Sequence, residues 1–199
     1  MTSQNTARYL AIGTPLGPLA IHDDDTPLAN FIRVDSTGHY MSMPSEAYNV
    51  WLSALDGIAP DEFEFILLKE SGEDDYAENL KWLIDTRLIV LWDPEATDFS
   101  DYPNIRVVPC SGGLGEDPDE PGVYTIVPRH ESTAVLRVDF LTYVLWTYCN
   151  GLKSLSDACQ ATVDDLGDRF SLDQVRRQAV TLVPGLLSQQ LAFLELVSA

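Results

Sequence analysis

The two halves of this chain echo each other, and that echo limits the architecture more than any other feature. One segment reads AYNVWLSALDG, from Ala47 to Gly57, and a later one reads TYVLWTYCNG, from Thr142 to Gly151. Further on, LIDTRLIVL (Leu83 to Leu91) is matched by LLSQQLAFL (Leu186 to Leu194), with apolar residues in the same places. Trp51 and Trp146 lie 95 residues apart, and Leu83 and Leu186 lie 103 apart, so the second copy holds about eight more residues between its landmarks. A long repeat used twice predicts two similar small modules in one chain.

The length, 199 residues, suits one large or two small domains. With 45% hydrophobic and 10% aromatic residues, the chain can build cores. Charge is lopsided. Residues 1–110 hold 19 acids and 6 bases, and residues 111–199 hold 12 acids and 6 bases. Such a surface repels phosphate backbones, which argues against direct nucleic-acid binding. Anionic membranes are disfavoured for the same reason. No run approaches 18 consecutive apolar residues, so no membrane helix is expected. The start, MTSQNTARYLAIG, lacks a charged stretch followed by a long apolar one, which predicts no signal peptide. Three widely spaced cysteines, Cys110, Cys149 and Cys159, form no CxxC and read as free thiols of a cytoplasmic protein.

Residues 8–43 read as strands and turns, with FIRVD and HYMSM as a hairpin about Ser-Thr-Gly. From Pro44 the period changes to that of a helix ending at Gly57, with Ala47, Val50, Trp51, Ala54 and Leu55 on one face. Further helices are predicted over Asp61 to Lys69 and Asp75 to Asp85, the latter with Tyr76, Leu80, Leu83 and Ile84 inward. Leu88–Trp92 and Ile105–Val108 would then pair as a hairpin around an acidic tip. Three helices and a hairpin give the order of a winged helix-turn-helix. SGGLGEDPDEPG, Ser111 to Gly122, reads as an acidic Gly/Pro linker. Beyond it, VYTIVP and TAVLRV read as a hairpin, and helices follow over Asp139 to Cys149, Ser154 to Thr162, and onward from Ser171. Pro184-Gly185 should kink or end the last helix. The expected fold is α+β, with tandem winged helix-turn-helix modules over 1–110 and 123–199, joined by 111–122.

No constellation for catalysis stands out. His22 stands beside Asp23, Asp24 and Asp25, yet neighbours on an extended chain point to alternating sides and cannot all close on one ion. His39 and His130 stand apart. SGGLGED lacks the Lys-Ser/Thr of a phosphate loop, and neither Ser111 nor Cys110 has a base nearby. Glu62 with Glu64, and Asp164 with Asp165, read as solvated faces. The expectation is therefore a non-enzyme with no cofactor and no metal. Trp51 and Trp146 read as core residues. Trp82 lies off the apolar stripe and is a contact-surface candidate. The helix that would read DNA in a winged helix carries five acids and two bases between Glu73 and Arg87, which disfavours that role.

The stretch LRVDFLTYVLWTYCNGLKSLSDACQ, Leu136 to Gln160, resembles the PqqD-like family, small winged-helix domains that recognise leader peptides of ribosomally made, modified peptides. It has that family's apolar strand, helix, Asn150-Gly151 turn and helix start at Ser154, Leu155 and Asp157. VRRQAVTLVPGLLSQQLAFL takes the place of the family's last helix. YNVWLSALDG and LKWLIDTRLIVL are similar in the first half. The resemblance implies that a peptide adds a strand to the edge Thr133–Val138 and packs on the helix Leu172–Val183. The positions implied are Thr133, Val135, Arg137 and Val138 on the strand, and Val175, Arg176, Ala179 and Leu182 on the helix.

The leading expectation is an adaptor that captures a peptide or protein partner, with a homodimer as one possible assembly. The alternative is a transcription-associated regulator, or an acidic DNA mimic that occupies a DNA-binding partner.

Overall fold

The computed structural model describes residues 7–19, 29–35, 37–72, 75–95, 102, 104–129 and 135–197. His22, the acids beside it, His130 and Thr133 lie outside them. The first half runs β1 (Arg8–Ala11), β2 (Thr14–Leu19), β3 (Ala29–Arg33), β4 (Tyr40–Met43), α1 (Ser45–Ser53), α2 (Pro60–Ser71), α3 (Tyr76–Asp85) and β5 (Ile89–Trp92). The second runs β6 (Ile105–Pro109), β7 (Ser111–Glu116), β8 (Tyr124–Pro128), β9 (Leu136–Val138), α4 (Phe140–Tyr148), α5 (Leu155–Leu166), α6 (Leu172–Ser188) and β10 (Ala192–Leu196). Six helices and four small antiparallel sheets among the described residues make the fold α+β.

The order strand, three strands, three helices, strand is thus used twice. In each half the three central strands form a meander, β2-β3-β4 and β7-β8-β9, and the first strand pairs with the last. Local details repeat as well. Arg87 and Gln190, matching residues after α3 and α6, both take positive φ, 56° and 54°. The next residue closes each helix end: Leu88 N–H bonds Leu83 O and Leu191 N–H bonds Leu186 O, at 2.9 and 2.8 Å. Arg8 donates to Gly57 O and Arg106 to Gly151 O, each carbonyl on the positive-φ glycine that follows the first helix of its half.

The helix starts follow their sequence signals. Pro60 opens α2 with Asp61 and Glu62 in its first turn, where acids oppose the positive end of the helix dipole. Asp139 and Ser154 cap α4 and α5 by accepting the N–H of Thr142 and Asp157. Ser171 and Gln174 form a full capping box on α6.

Three sequence expectations are corrected. First, the Leu88–Trp92 and Ile105–Val108 segments do not pair with each other: β5 lies on β1, and β6 on β10. Twelve residues separate them, far from the two to five of tight hairpins, so local closure gives no advantage over the long-range pairing. Second, the expected linker begins with strand β7, paired to β8. Its Gly113 is there for packing, since a Cβ would stand 2.2 Å from the Tyr143 hydroxyl and 2.8 Å from the Trp146 ring. The acids that follow close a turn, in which Asp117 N–H bonds Val123 O and Arg137 holds Asp117 and Glu120. Third, α6 continues through Pro184 to Ser188. Proline there leaves the Val180 carbonyl without its helical donor. The Trp92 indole N–H fills that role at 3.0 Å.

Two cores result, and β1 serves both. Alternate side chains of a strand face opposite ways. Tyr9 and Ala11 join the first core, around Trp51, Phe63, Leu67 and Leu83. Leu10 and Ile12 join the second, around Leu145, Val175, Ala179 and Leu186. That is why Tyr9 to Ile12 reads as an unbroken apolar run rather than an alternating one. The halves also meet at Glu195, which has no exposed surface. Its carboxylate accepts from Arg106, from Arg33 Nε at 2.7 Å and from Thr14 Oγ1 at 2.6 Å. A carboxylate buried there persists because two guanidinium groups offset its lost hydration.

Candidate functional site

The strand and helix implied for peptide capture lie in the second half. β9 ends its sheet and, among the described residues, pairs with β8 alone, with Tyr124 opposite Val138 and Ile126 opposite Leu136. Val135 is exposed just before it, and Leu136 packs toward Gly185 of α6. Arg137 is half exposed, but its guanidinium is already engaged by Asp117 and Glu120.

On α6 the implied positions divide. Val175, Ala179 and Leu182 are buried against the second core, so their side chains are not a surface that a partner can touch. The 3.6-residue period marks an apolar stripe without saying whether this chain or another covers it. Arg176 is partly buried, and its Nε has no hydrogen-bond partner among the described residues. The accessible face of α6 instead presents Gln174, Arg177 and Gln178. These line a groove of about 370 Å³ with Phe140, Leu141 and Phe170, which starts at Asp139, the residue after β9. Arg177 and the two glutamines were the residues that sequence reasoning missed. Their only signal was polarity beside the apolar stripe.

An aromatic cluster backs this region. Tyr124 lies 4.9 Å from Tyr143 and 5.8 Å from Phe140, and Tyr143 lies 5.5 Å from Trp146, ring centre to ring centre. Trp146 is only partly buried and its indole N–H has no partner among the described residues. Its counterpart Trp51 is fully buried and donates to Ile12 O and Leu88 O at 3.2 and 3.1 Å. The core reading therefore holds in full for Trp51 and only in part for Trp146.

A second cavity of about 370 Å³ lies between the halves, beside β5. Ile84, Ile89, Leu91, Ile105 and Leu196 give it apolar walls, with Arg87 and Tyr102 among its polar groups. Nothing in the sequence marked it, because its walls come from strands that meet only through long-range pairing.

Elsewhere, Trp82 is 39% exposed on α3, as its place off the apolar stripe predicted. The surrounding surface of α2 and α3 exposes Asp61, Glu62, Glu64, Glu70, Glu78 and Asp85. Cys149 and Cys159 are buried. Burial pushes the Cys159 thiol up to about 12 and raises that of Cys149 further, so neither is a thiolate near neutral pH. Cys110 is partly exposed, and burial raises its thiol too. Its Sγ–H donates to Gln190 O. His39 is exposed beside Asp35. Among the described residues no group of three or more His, Cys, Asp or Glu could hold a metal ion, and no helix is long and apolar enough to cross a membrane.

No protein-family model matches the chain, and no curated protein sequence matches it. Among solved structures, a chain described as "The structure of PKMT2 from Rickettsia typhi" matches 94% of this chain and 43% of its own length. The two are 9% identical with a TM-score of 0.32, a likeness too slight to carry an argument about fold or activity.

Proposed function

We propose that this chain is a non-enzymatic adaptor that captures an extended peptide or a strand of a partner protein, and that each half is a winged-helix unit adapted to that task. The observation that carries the reading is the placement of β9. Its outer edge has no strand partner among the described residues, and it leads directly into the groove between α4 and α6. In strand addition, backbone groups on such an edge supply affinity and neighbouring pockets supply specificity. Here Phe140 and Phe170 would receive an apolar side chain, and Gln174, Arg177 and Gln178 would fix polar groups of the peptide. Arg137 braces the turn behind β9 and holds the strand in place.

Calorimetric titration with leader peptides of modified-peptide precursors tests this reading. Wild-type protein should bind, and Val138→Pro, which removes the N–H that Val138 directs at Tyr124 and so unseats the edge strand from β8, should lose binding while keeping its helical circular dichroism signal. Arg177→Glu should weaken binding of acidic peptides. Titration curves left unchanged by Val138→Pro would rule out strand addition at β9.

A further inference from the structure

A different strand edge, on β5, lies along the cavity between the halves, and we propose that it docks a second extended peptide, apolar at alternate positions and carrying an acidic residue, from a partner protein. The backbone bonds of β1 fix which way β5 faces. Tyr9 N–H bonds Ile58 O at 2.9 Å and Tyr9 O accepts from Ile58 N–H at 3.1 Å, while Ala11 N–H bonds Ala54 O at 2.9 Å. These groups therefore turn away from β5. In an antiparallel ladder, bonded and non-bonded pairs alternate. The pairs Tyr9–Leu91 and Ala11–Ile89 are thus the non-bonded ones, and the N–H and C=O of Ile89 and Leu91 point off the far side of β5. On that side Leu91 O accepts the Tyr102 hydroxyl at 2.8 Å. The N–H and C=O of Ile89 and the N–H of Leu91 have no hydrogen-bond partner among the described residues. Backbone groups beside an apolar wall call for a partner.

The other half shows what such an edge accepts. Leu194 matches Leu91, and Ala192 matches Ile89. There Leu194 O accepts Gly13 N–H at 2.6 Å, Leu196 N–H donates to Val34 O at 2.9 Å, and Asp35 bridges to Leu196. Extended chain from the first half thus covers Leu194 O and Leu196 N–H on β10, whereas on β5 the Tyr102 hydroxyl alone meets the matching Leu91 O and Asp93 N–H, at 2.8 and 3.2 Å, and no extended chain among the described residues lies along that edge. The cavity walls Ile84, Ile105 and Leu196 suit apolar side chains on every second residue of an added strand. Arg87, exposed and without an ion pair among the described residues, suits a carboxylate. A second copy of this chain is the weaker occupant, because a net charge of −19 on each copy opposes self-association.

The experiment selects heptapeptides from a displayed random library on the full chain, then titrates the recovered peptide, fluorescein-labelled, by anisotropy. Recovered sequences should alternate apolar residues and carry an acid. Leu91→Pro removes an outward N–H without touching the β1 ladder and should weaken binding roughly ten-fold or more. Arg87→Gln should weaken it about three-fold. Gln is tolerated there, since Gln190 holds the matching position with the same φ. Val138→Pro should change nothing, which separates this edge from β9. Failure to recover any peptide, unchanged affinity in Leu91→Pro, or loss confined to Val138→Pro would overturn the proposal. So would a dimer in sedimentation that Leu91→Pro dissolves, because a second copy would then hold the edge. If Leu91→Pro does not fold, Arg87→Gln decides, and unchanged affinity there would sink the idea.

Discussion

The two halves use one plan and spend their matching positions differently. At the fourth position of the last strand, the first half has Trp92 and the second has Glu195. Trp92 reaches across to α6 and donates its indole N–H to the carbonyl that Pro184 leaves free. Glu195 sits fully buried and gathers Arg106, Arg33 and Thr14. Both residues join the halves, one through a neutral hydrogen bond and an aromatic ring, the other through charge. At the first helix, Trp51 is satisfied and sealed, while Trp146 is only partly buried and its N–H has no partner among the described residues. One backbone pattern thus carries different side chains at its matching positions, and these decide how each half is sealed and how it is joined to the other.

The charged junction should give the largest effect. Arg106→Met leaves the buried Glu195 carboxylate short of its main partner and should cost ~3–5 kcal/mol in urea unfolding. Adding Glu195→Leu removes the stranded charge and should recover a large part of that loss. Equal instability in the single and double variants would show that Arg106 matters for packing rather than for charge compensation.

A middle-sized effect should separate the tryptophans. Trp51→Phe and Trp146→Phe remove the same ring volume, but only the first deletes hydrogen bonds made in the core. Trp51→Phe should cost ~1–3 kcal/mol, and Trp146→Phe less than about 1 kcal/mol. Equal costs in thermal unfolding would mean that the two sites are alike after all.

The smallest effect concerns the third helices. α6 has a capping box at Ser171, whereas Asp75 before α3 makes no side-chain cap bond. Ser171→Ala should cost ~1 kcal/mol and Asp75→Ala close to nothing. A comparable loss from both would show that α3 leans on Asp75 by another route.

Much of the local structure was legible in the chain itself. Asp139, Ser154 and Ser171 announced their helices because a short oxygen-bearing side chain at that place satisfies N–H groups that the helix leaves open. The hairpins β3–β4 and β8–β9 followed from short apolar runs on either side of turn-forming residues. The site was legible only in outline. The resemblance drew an edge strand over Thr133–Val138, of which the described strand is Leu136–Val138, and Val175, Ala179 and Leu182 proved to be core. An apolar stripe looks the same in sequence whether it faces its own core or a guest.

By itself, then, the sequence determined the repeat of three helices, the helix starts and the acidic charge, because these depend on neighbours a few residues apart and on composition. Only the tertiary structure decided that β1 pairs with β5 and β6 with β10, that Gly113 makes room for Tyr143 and Trp146, and that Trp92 rescues α6 at Pro184. The physical reason is distance along the chain. Each of those choices is a competition between partners dozens of residues apart, settled by which pairing buries both faces of β1 and leaves the fewest polar groups unpaired.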